Sequence, residues 1–299
     1  MSSYPQKVKI VEVGPRDGLQ NEKEIIPSED KIRFIDALSE SGLSVIEVSS
    51  FVHPKWVPQL SDVSEVYSKI QKKKGVQYPC LVPNLKGLER AIGLGVKEIA
   101  VFTAASDGFN QKNINMTVAE SLIGIREIIQ KAQQEKISVR GYVSTVVACP
   151  YEGKIAPEKV LPVVQSLLDA GVDEVSLGDT IGAAVPTDVE KLLSLLLKTQ
   201  EVAKLAVHFH DTRGTALANI LKSLEMGISI IDSSAGGLGG CPYAPGASGN
   251  VATEDVLYML HGMGIQTGVD LDQVVAASRL IEKSLKRTLS SKYLACQSL

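Results

Sequence analysis

The sequence predicts a (β/α)8 barrel followed by an additional C-terminal helix, and three observations lead to this fold class. Short apolar runs typical of strands alternate with amphipathic helical patterns, and this strand–helix unit occurs eight times in succession. Turn signals rich in glycine and proline separate the units. No linker or change of composition interrupts the 299 residues, so we expect residues 1–299 to form a single domain, with a helical extension at about 268–299.

An open, doubly wound sheet is the structural alternative, because it also arises from alternating strands and helices. Sheets of that kind that bind dinucleotides carry Gly-x-Gly-x-x-Gly directly after the first strand. Here the first strand is followed by the sequence GPRDG at residues 14–18, which weakens a dinucleotide-binding version of the fold.

The strands are predicted from short apolar or alternating runs bounded by turn residues. The first, residues 8–13, alternates apolar and polar residues and ends at a Gly-Pro pair. The other seven are predicted at residues 45–48, 78–82, 99–102, 139–143, 174–177, 205–209 and 228–232.

The helices are predicted from apolar residues that recur on one face. In the first, residues 28–41, Ile32, Ile35 and Leu38 share a face, and Gly42 follows the end of the pattern. The others are predicted near residues 63–70 and at 85–92, 117–134, 157–170, 186–197, 217–224 and 253–261, with further helix in the tail from residue 270.

The composition excludes several classes of protein. Hydrophobic residues make up 44% and charged residues 22%, as in ordinary soluble domains. The formal net charge of −3 provides no basic field, so nucleic acid is not an expected partner. No apolar run is long enough to span a membrane. The four cysteines are sparse and residues 1–7 lack a targeting signal, so we expect a cytoplasmic protein.

Two of the four histidines lie one residue apart, at the end of the seventh predicted strand. Side chains alternate along a strand, so His208 and His210 share one face and Phe209 lies on the other. Two imidazoles in this arrangement can hold a divalent metal. They can equally make local hydrogen bonds, because a metal site requires further ligands.

Further ligands are expected at the carboxyl ends of the strands, where barrel enzymes carry their active sites. Asp17 follows the first strand and supplies a carboxylate. Asn250 follows the eighth strand and is either a fourth ligand or a cap for the helix beginning near Thr253. Such a set suits Mg²⁺ or Mn²⁺ when water and substrate complete six positions, and Zn²⁺ when four ligands suffice.

Arg16, beside Asp17, is the second candidate for chemistry. A guanidinium next to a metal can stabilise a developing oxyanion or bind a carboxylate, although most Arg–Asp pairs are surface salt bridges. Glu47, in the second strand, is a carboxylate that needs a partner. It can orient Arg16 or a ligand histidine, or belong to a structural ion pair.

A glycine-rich loop is the third candidate. Six glycines lie between residues 236 and 249, and Cys241 lies among them. Glycines allow the backbone to approach a ligand closely, and a loop thiol near a metal can donate a proton when the loop closes. The other cysteines, Cys80, Cys149 and Cys296, are expected to be inert packing residues.

Three segments together resemble the 3-hydroxy-3-methylglutaryl-CoA lyase family: residues 13–22 (VGPRDGLQNE), residues 208–212 (HFHDT) and residues 236–243 (GGLGGCPY). The resemblance extends from about residue 8 to the C-terminus, and the cysteine-bearing loop is its most specific part. The Arg-Asp-Gly segment and His-x-His are shared with a wider superfamily of metal-dependent barrel lyases and Claisen-type synthases.

The resemblance implies cleavage of (S)-3-hydroxy-3-methylglutaryl-CoA to acetoacetate and acetyl-CoA, in leucine degradation and ketone-body metabolism. It also implies Mg²⁺ or Mn²⁺ as cofactor, held by Asp17, His208, His210 and Asn250. An acyl-CoA is then the small-molecule partner, and a homo-oligomer, with a dimer favoured, is the expected assembly.

The resemblance likewise suggests roles for single residues. Asp17 is the expected base, His208 a second candidate for proton transfer, Arg16 the residue that binds substrate and stabilises the enolate, and Cys241 the donor to carbon. Glu47, Asp179 and Glu254 are expected to support these residues from behind.

Three alternatives remain at this stage. A Claisen-condensing synthase of the isopropylmalate or homocitrate type would use the same metal in the opposite direction, but the Cys241 loop speaks against it. A metal-dependent hydrolase would need only the histidine pair and a bound water. A barrel that binds metal and ligand without turnover would tolerate loss of Arg16 and Cys241.

Overall fold

The central sheet is a parallel barrel. A computed structural model of the chain describes residues 4–240 and 249–297. Its strands are β1 (Lys9–Glu12), β2 (Val45–Ile46), β3 (Ser49–Ser50), β4 (Cys80–Leu81), β5 (Glu98–Ala104), β6 (Ser138–Ser144), β7 (Ala148–Cys149), β8 (Gly153–Lys154), β9 (Glu174–Asp179), β10 (Leu205–Phe209) and β11 (Ile230–Ser233). The sheet order is β2-β1-β11-β10-β9-β6-β5-β4-β3, and β7 and β8 form a separate hairpin.

The ring closes because β2 and β3 are two halves of one extended segment. β2 pairs with β1 and β3 pairs with β4, both in parallel. Between the halves, the Glu47 amide donates to the Glu12 carbonyl at 2.8 Å and the Val48 amide donates to the Pro79 carbonyl at 2.9 Å. Eight strand positions therefore form a closed barrel, which confirms the predicted fold class.

Helices cover the outside of the barrel. The structure has α1 (Ser28–Glu40), α2 (Val63–Lys69), α3 (Leu85–Gly93), α4 (Asp107–Ile114), α5 (Val118–Gln134), α6 (Pro157–Ala170), α7 (Pro186–Leu196), α8 (Ala216–Glu225), α9 (Thr253–Gly262), α10 (Leu271–Leu285) and α11 (Lys292–Cys296). Local sequence explains several ends. Thr117 and Glu120 form a capping box before α5, and Gly171 ends α6 with φ of 100°. The last two helices, α10 and α11, form the predicted C-terminal extension.

Helix α4 and the β7–β8 hairpin were not predicted from the sequence. Helix α4 has no continuous apolar stripe, since Phe109 and Ile114 are its only large apolar residues. Its contacts with the end of β5 stabilise it in the fold. The β7–β8 hairpin follows β6 and is too short to show strand periodicity. Both elements lie on the carboxyl side of the barrel.

The apolar core divides into an outer layer and an inner one. The outer layer joins the strands to the helices and includes residues such as Phe34, Ile129 and Leu193. In the barrel interior, the described residues form two small apolar clusters, one of which consists of Leu81, Ala100 and Tyr142.

The rest of the interior is polar. One group of its polar residues is called the interior charge cluster. It consists of Lys9, Arg140, Glu174, Ser176 and Asp232. Arg140 donates from Nε to Glu174 at 2.6 Å and from Nη1 and Nη2 to the two oxygens of Asp232 at 3.0 and 2.6 Å. Ser176 donates to Asp232 at 2.7 Å, and Lys9 pairs with Glu174.

Candidate metal centre and active site

A single π-helical turn places Arg16 and Asp17 above the end of β1. Residues Gly14–Gly18 form this turn, and the amides of residues 16, 17 and 18 all donate to the Val13 carbonyl. Glycine is needed at position 18, because an added Cβ there would lie 2.7 Å from the Leu238 side chain. The turn therefore packs directly against the loop that follows β11.

Asp17, His208 and His210 converge at the carboxyl end of the barrel. One ligand atom from each lies within 4.8 Å of the others, so the three can hold one metal ion. His208 Nε2 lies 3.9 Å from Asp17 Oδ2. Both histidines are buried, and period-2 alternation along β10 aims both rings into the barrel.

Electrostatics at this triad suit a cation. Burial opposes ionisation of Asp17, but Arg16, the two histidines and a hydrogen bond from Asn250 outweigh it and lower its pKa to about 2. Burial, together with repulsion from His208, lowers the pKa of His210 to about 4. An ionised carboxylate and a neutral imidazole are the forms that bind metals.

His210 shows whether the residues of this site fit a metal ion. Its Nδ1 atom is buried and has no hydrogen-bond partner among the described residues. Buried polar atoms without partners are rare and need a physical reason. An imidazole facing a shared site with an unpaired nitrogen fits a metal-binding role.

Asn250 lies beside the triad. Its amide nitrogen donates to Asp17 Oδ2 at 2.8 Å and to the Leu238 carbonyl at 3.1 Å. Residue 250 also forms an isolated bridge with His210, which holds its backbone at the site. To ligate a metal through its oxygen, the amide group has to turn so that the oxygen faces Asp17.

Arg16 is held between two carboxylates and an aromatic ring. Its Nε and Nη2 contact Glu47 Oε2 at 2.8 and 2.7 Å, and Nη1 donates to Asp17 at 2.7 Å. The guanidinium carbon lies 5.3 Å from the centre of the Tyr142 ring, and Tyr142 also donates to Glu47 at 3.0 Å. Burial opposes the charge on Arg16, but Glu47 and Asp17 outweigh it and raise its pKa. Arg16 is therefore a fixed, permanent cation beside the triad.

Sequence reasoning missed Asp232. It is the register partner of His208 on the neighbouring strand, and its Oδ2 lies 3.3 Å from His208 Nδ1. Burial opposes its ionisation, but Arg140 and His208 outweigh burial and hold the pKa of Asp232 well below its usual range. The sequence did offer one signal for Asp232: it is an acidic residue in the strand that follows the histidine strand, where a partner for His208 could be expected.

The remaining predicted residues are Glu47, Asp179, Cys241 and Glu254. Glu47 touches Arg16 directly. Asp179 accepts hydrogen bonds from the amides of Ala183 and Ala184 at 3.0 and 2.9 Å, so it holds the turn after β9. Cys241 lies outside the described residues.

Glu254 and Glu12 hold the start of the glycine-rich loop. Glu254 accepts from the Gly236 amide at 2.8 Å and from the Ser278 hydroxyl. Glu12 accepts from the amides of Gly14 and Ala235 at 2.7 and 2.9 Å, and therefore joins the first loop to the last. Burial raises the pKa of each glutamate to about 7.

Fold and site together define a metal-dependent (β/α)8 barrel enzyme, with a cation site and an adjacent arginine at the carboxyl end of the strands. In the described residues, no helix combines the length and apolar character needed to cross a membrane.

Comparisons with known proteins narrow this class. The HMGL-like family model matches residues 7–281. Hydroxymethylglutaryl-CoA lyases named as mitochondrial, from Pongo abelii and Homo sapiens, are 56% and 55% identical over 292 residues, covering 98% of this chain and 90% of each relative. A lyase named as cytoplasmic, from Rattus norvegicus, is 54% identical over the same length, covering 98% of this chain and 85% of that relative.

Solved structures similar to this chain include lyases of the same kind. The HMG-CoA lyase of Bacillus subtilis superposes with a TM-score of 0.97 at 51% identity, covering 98% of both chains. An HMG-CoA lyase from Acinetobacter baumannii, solved with coenzyme A and 3-methylmalate, has a TM-score of 0.93 at 40% identity, covering 99% of this chain and 97% of that one. The chain belongs to the hydroxymethylglutaryl-CoA lyase family. This confirms the family predicted from the sequence and favours the lyase over the synthase and hydrolase alternatives.

Proposed function

We propose that this protein cleaves (S)-3-hydroxy-3-methylglutaryl-CoA to acetoacetate and acetyl-CoA. The observation that carries the proposal is the position of Arg16 beside the Asp17–His208–His210 triad, in a chain that belongs to this lyase family. The bond to be broken joins a tertiary alcohol carbon to the carbon alpha to a thioester. Its cleavage requires loss of the hydroxyl proton and stabilisation of the departing enolate.

We propose Mg²⁺ or Mn²⁺ as the cofactor, held by Asp17, His208, His210 and, after its amide turns, Asn250. Mixed carboxylate, imidazole and amide ligands suit these ions when substrate oxygens and water complete the coordination. A cation held there would make the substrate hydroxyl more acidic and would orient it.

Asp17 is the proposed base for the hydroxyl proton, and His208 the second group able to carry it. Arg16 and the histidines keep Asp17 ionised, so it is available to accept a proton. As the proton leaves, the C–O bond becomes the ketone of acetoacetate. The carbon–carbon bond breaks, and its electron pair moves into the thioester fragment as an enolate.

Arg16 is the proposed partner of the enolate oxygen. A guanidinium has five N–H donors, and the contacts to Glu47 and Asp17 use three of them. The other two can meet a developing oxyanion. Because Glu47 and Tyr142 already hold the side chain in place, little reorganisation is needed when charge develops.

Cys241 is the proposed donor of a proton to the enolate carbon, which completes acetyl-CoA. Its loop begins at a turn whose amides are held by Glu12 and Glu254. Asp179 supports the site from another side, through the turn after β9 that packs against the carbonyl of His210. We propose Glu47, Asp179 and Glu254 as supporting residues on this basis.

The test is a direct assay of acetoacetate formation by purified protein with 3-hydroxy-3-methylglutaryl-CoA, with added Mg²⁺ or Mn²⁺ and with a chelator. We expect product with metal and loss of product with chelator. No product in the presence of metal would overturn the proposal. Full activity of Cys241→Ser would overturn only the role of that thiol.

The biological setting is also a proposal. The products suit leucine degradation and ketone-body metabolism. The cysteines described by the structure, Cys80, Cys149 and Cys296, are unpaired, which suits a reducing compartment such as the cytoplasm. Cell fractionation with an antibody to the protein tests this location.

We further propose a dimer. Tyr258 is 65% exposed on α9, and its ring lies 5.4 Å from that of Tyr293 on α11. Aromatic residues such as tyrosine are enriched at protein interfaces. Light scattering during size-exclusion chromatography measures the assembly, and a monomer at micromolar concentration would contradict the proposal.

A further inference from the structure

The two histidines of the metal centre are not equivalent. His208 has a carboxylate behind it, since its Nδ1 lies 3.3 Å from Asp232 Oδ2. Among the described residues, no such carboxylate contact is found for His210, whose unpaired Nδ1 is the nitrogen that fits a metal. The two rings lie 5.4 Å apart and differ in tilt by 44°. Among the described residues, His208 is therefore the imidazole that a carboxylate orients.

Asp232 is itself fixed. Arg140 reaches both of its oxygens from two nitrogens, and Ser176 donates to Oδ2 at 2.7 Å. Forked Arg–carboxylate pairs are the most geometrically defined of charge-assisted hydrogen bonds. Arg140 is held in turn by Glu174 at 2.6 Å, and its guanidinium carbon lies 4.8 Å from the Tyr142 ring centre. The carboxylate behind His208 therefore has little freedom to rotate.

This arrangement determines which nitrogen of His208 carries the proton. A carboxylate that receives donors from arginine and serine can only accept. Nδ1 must then be the protonated nitrogen, and the lone pair lies on Nε2. Nε2 is the atom that faces Asp17, at 3.9 Å. The ring thus presents its lone pair to the metal centre before any ligand arrives.

We infer that Asp232 is a positioning residue for this enzyme: held by Arg140 and Ser176, it fixes the tautomer and orientation of His208 so that Nε2 is presented to the metal. This inference rests on the proposed metal-binding role of His208. Carboxylate partners of this kind change metal affinity by about 10- to 100-fold when they are removed.

The first test is made on metal-free protein with ¹⁵N-labelled histidine. The chain has four histidines, so a two-bond ¹H–¹⁵N spectrum is simple enough to assign with single His→Asn variants. We expect His208 to be protonated at Nδ1 in the wild type and to lose this preference in Asp232→Asn, with the signals of His53 and His261 unchanged. A wild-type His208 protonated mainly at Nε2 would overturn the inference. This readout does not depend on turnover of any substrate, so it separates failure of the inference from failure of the proposed function.

The second test is binding of Mn²⁺ alone, followed by electron paramagnetic resonance. We expect Asp232→Asn to weaken Mn²⁺ binding by about 10- to 100-fold. Asp62→Asn is the matched control, because it neutralises a carboxylate that pairs with Lys31 and contacts neither the interior charge cluster nor the metal centre, so its Mn²⁺ affinity should stay close to that of the wild type.

Asp232→Asn leaves Arg140 buried with less compensation and can destabilise the fold. The double variant Arg140→Gln with Asp232→Asn removes both charges and keeps the interior neutral. We expect the double variant to fold and to show the same loss of Mn²⁺ affinity. Binding within twofold of wild type, in either the single or the double variant, would overturn the inference.

Discussion

Two groups of charged side chains lie in the same barrel and differ in how completely their members are paired. In the interior charge cluster, Arg140 binds Asp232 and Glu174, and Glu174 also binds Lys9, so two cations meet two anions. In the metal centre, Arg16 is the one lysine or arginine of the described residues that forms an ion pair with Glu47 or Asp17. One negative charge is in excess there, and Glu47 Oε1 and His210 Nδ1 have no partner among the described residues.

The difference teaches how to separate structure from function in a polar barrel. Buried charges cost stability unless they are paired and hydrogen-bonded, and the interior cluster meets this requirement from within. The charges of the metal centre are not fully paired from within. Its excess negative charge and its oxygen and nitrogen atoms are what a divalent cation requires. Asp232 belongs to the first group and touches the second, so the closed cluster serves as a support for the open one.

The largest expected effect comes from opening the interior cluster. Arg140→Met leaves the carboxylates of Asp232 and Glu174 with less compensation, and we expect a loss of about 3–5 kcal/mol in the free energy of unfolding. Urea denaturation measures it. The control is Lys131→Met, which removes an exposed pair with Glu89 and should cost less than about 1 kcal/mol. If both variants lost the same free energy of unfolding, the interior charge cluster would contribute no more to stability than an exposed ion pair.

The second prediction concerns turnover. Arg16→Gln removes the proposed partner of the enolate oxygen, so kcat should fall by about 10²- to 10³-fold. The loss of stability should be smaller than for Arg140→Met. Burial already raises the pKa of Glu47, so that carboxyl group can take up a proton when Arg16 is gone. The acetoacetate assay and urea denaturation on one preparation measure both quantities, and a kcat within tenfold of wild type would contradict the role of Arg16.

The third prediction concerns the surplus charge of the metal centre. A cation that binds only the folded protein should stabilise it by about 2.7 kcal/mol at a hundred times its Kd. We expect added Mn²⁺ to have this effect, a chelator to reverse it, and Asp17→Asn to abolish it. Urea denaturation with and without Mn²⁺ provides the measurement. If the stabilisation persisted in Asp17→Asn, Asp17 would not be a ligand.

The smallest effect is expected at a buried carboxyl group outside both clusters. Burial raises the pKa of Glu254 from 4.5 to about 7, so between these values the folded protein keeps a proton that the unfolded chain has lost. Stability should therefore fall as pH rises through this window. Glu254→Gln cannot ionise, and its stability should fall by about 1.4 kcal/mol less for each pH unit crossed within the window, since one pKa unit is worth about 1.4 kcal/mol. Superimposable pH curves for variant and wild type would contradict the shift.

Much of the fold could be predicted because its signals are local. Strand and helix periodicities and turn residues between them depend on neighbours a few positions apart, and they indicated the barrel before any contact was known. His208 and His210 face the same way for the same reason, since a strand has a period of two. Helix α4 was missed because its sequence lacks an apolar stripe and its contacts come from the fold.

By itself, the sequence determined the barrel, the shared face of the two histidines and the family. The tertiary structure alone decided which distant groups meet. Arg140 and Asp232 are 92 positions apart, and Asp232 lies 24 positions from His208, yet strand register brings all three together. Barrel closure sets such contacts, because register between neighbouring strands depends on the packing of the whole sheet and not on any one segment. Two histidines that look alike in the sequence therefore have different partners in the fold.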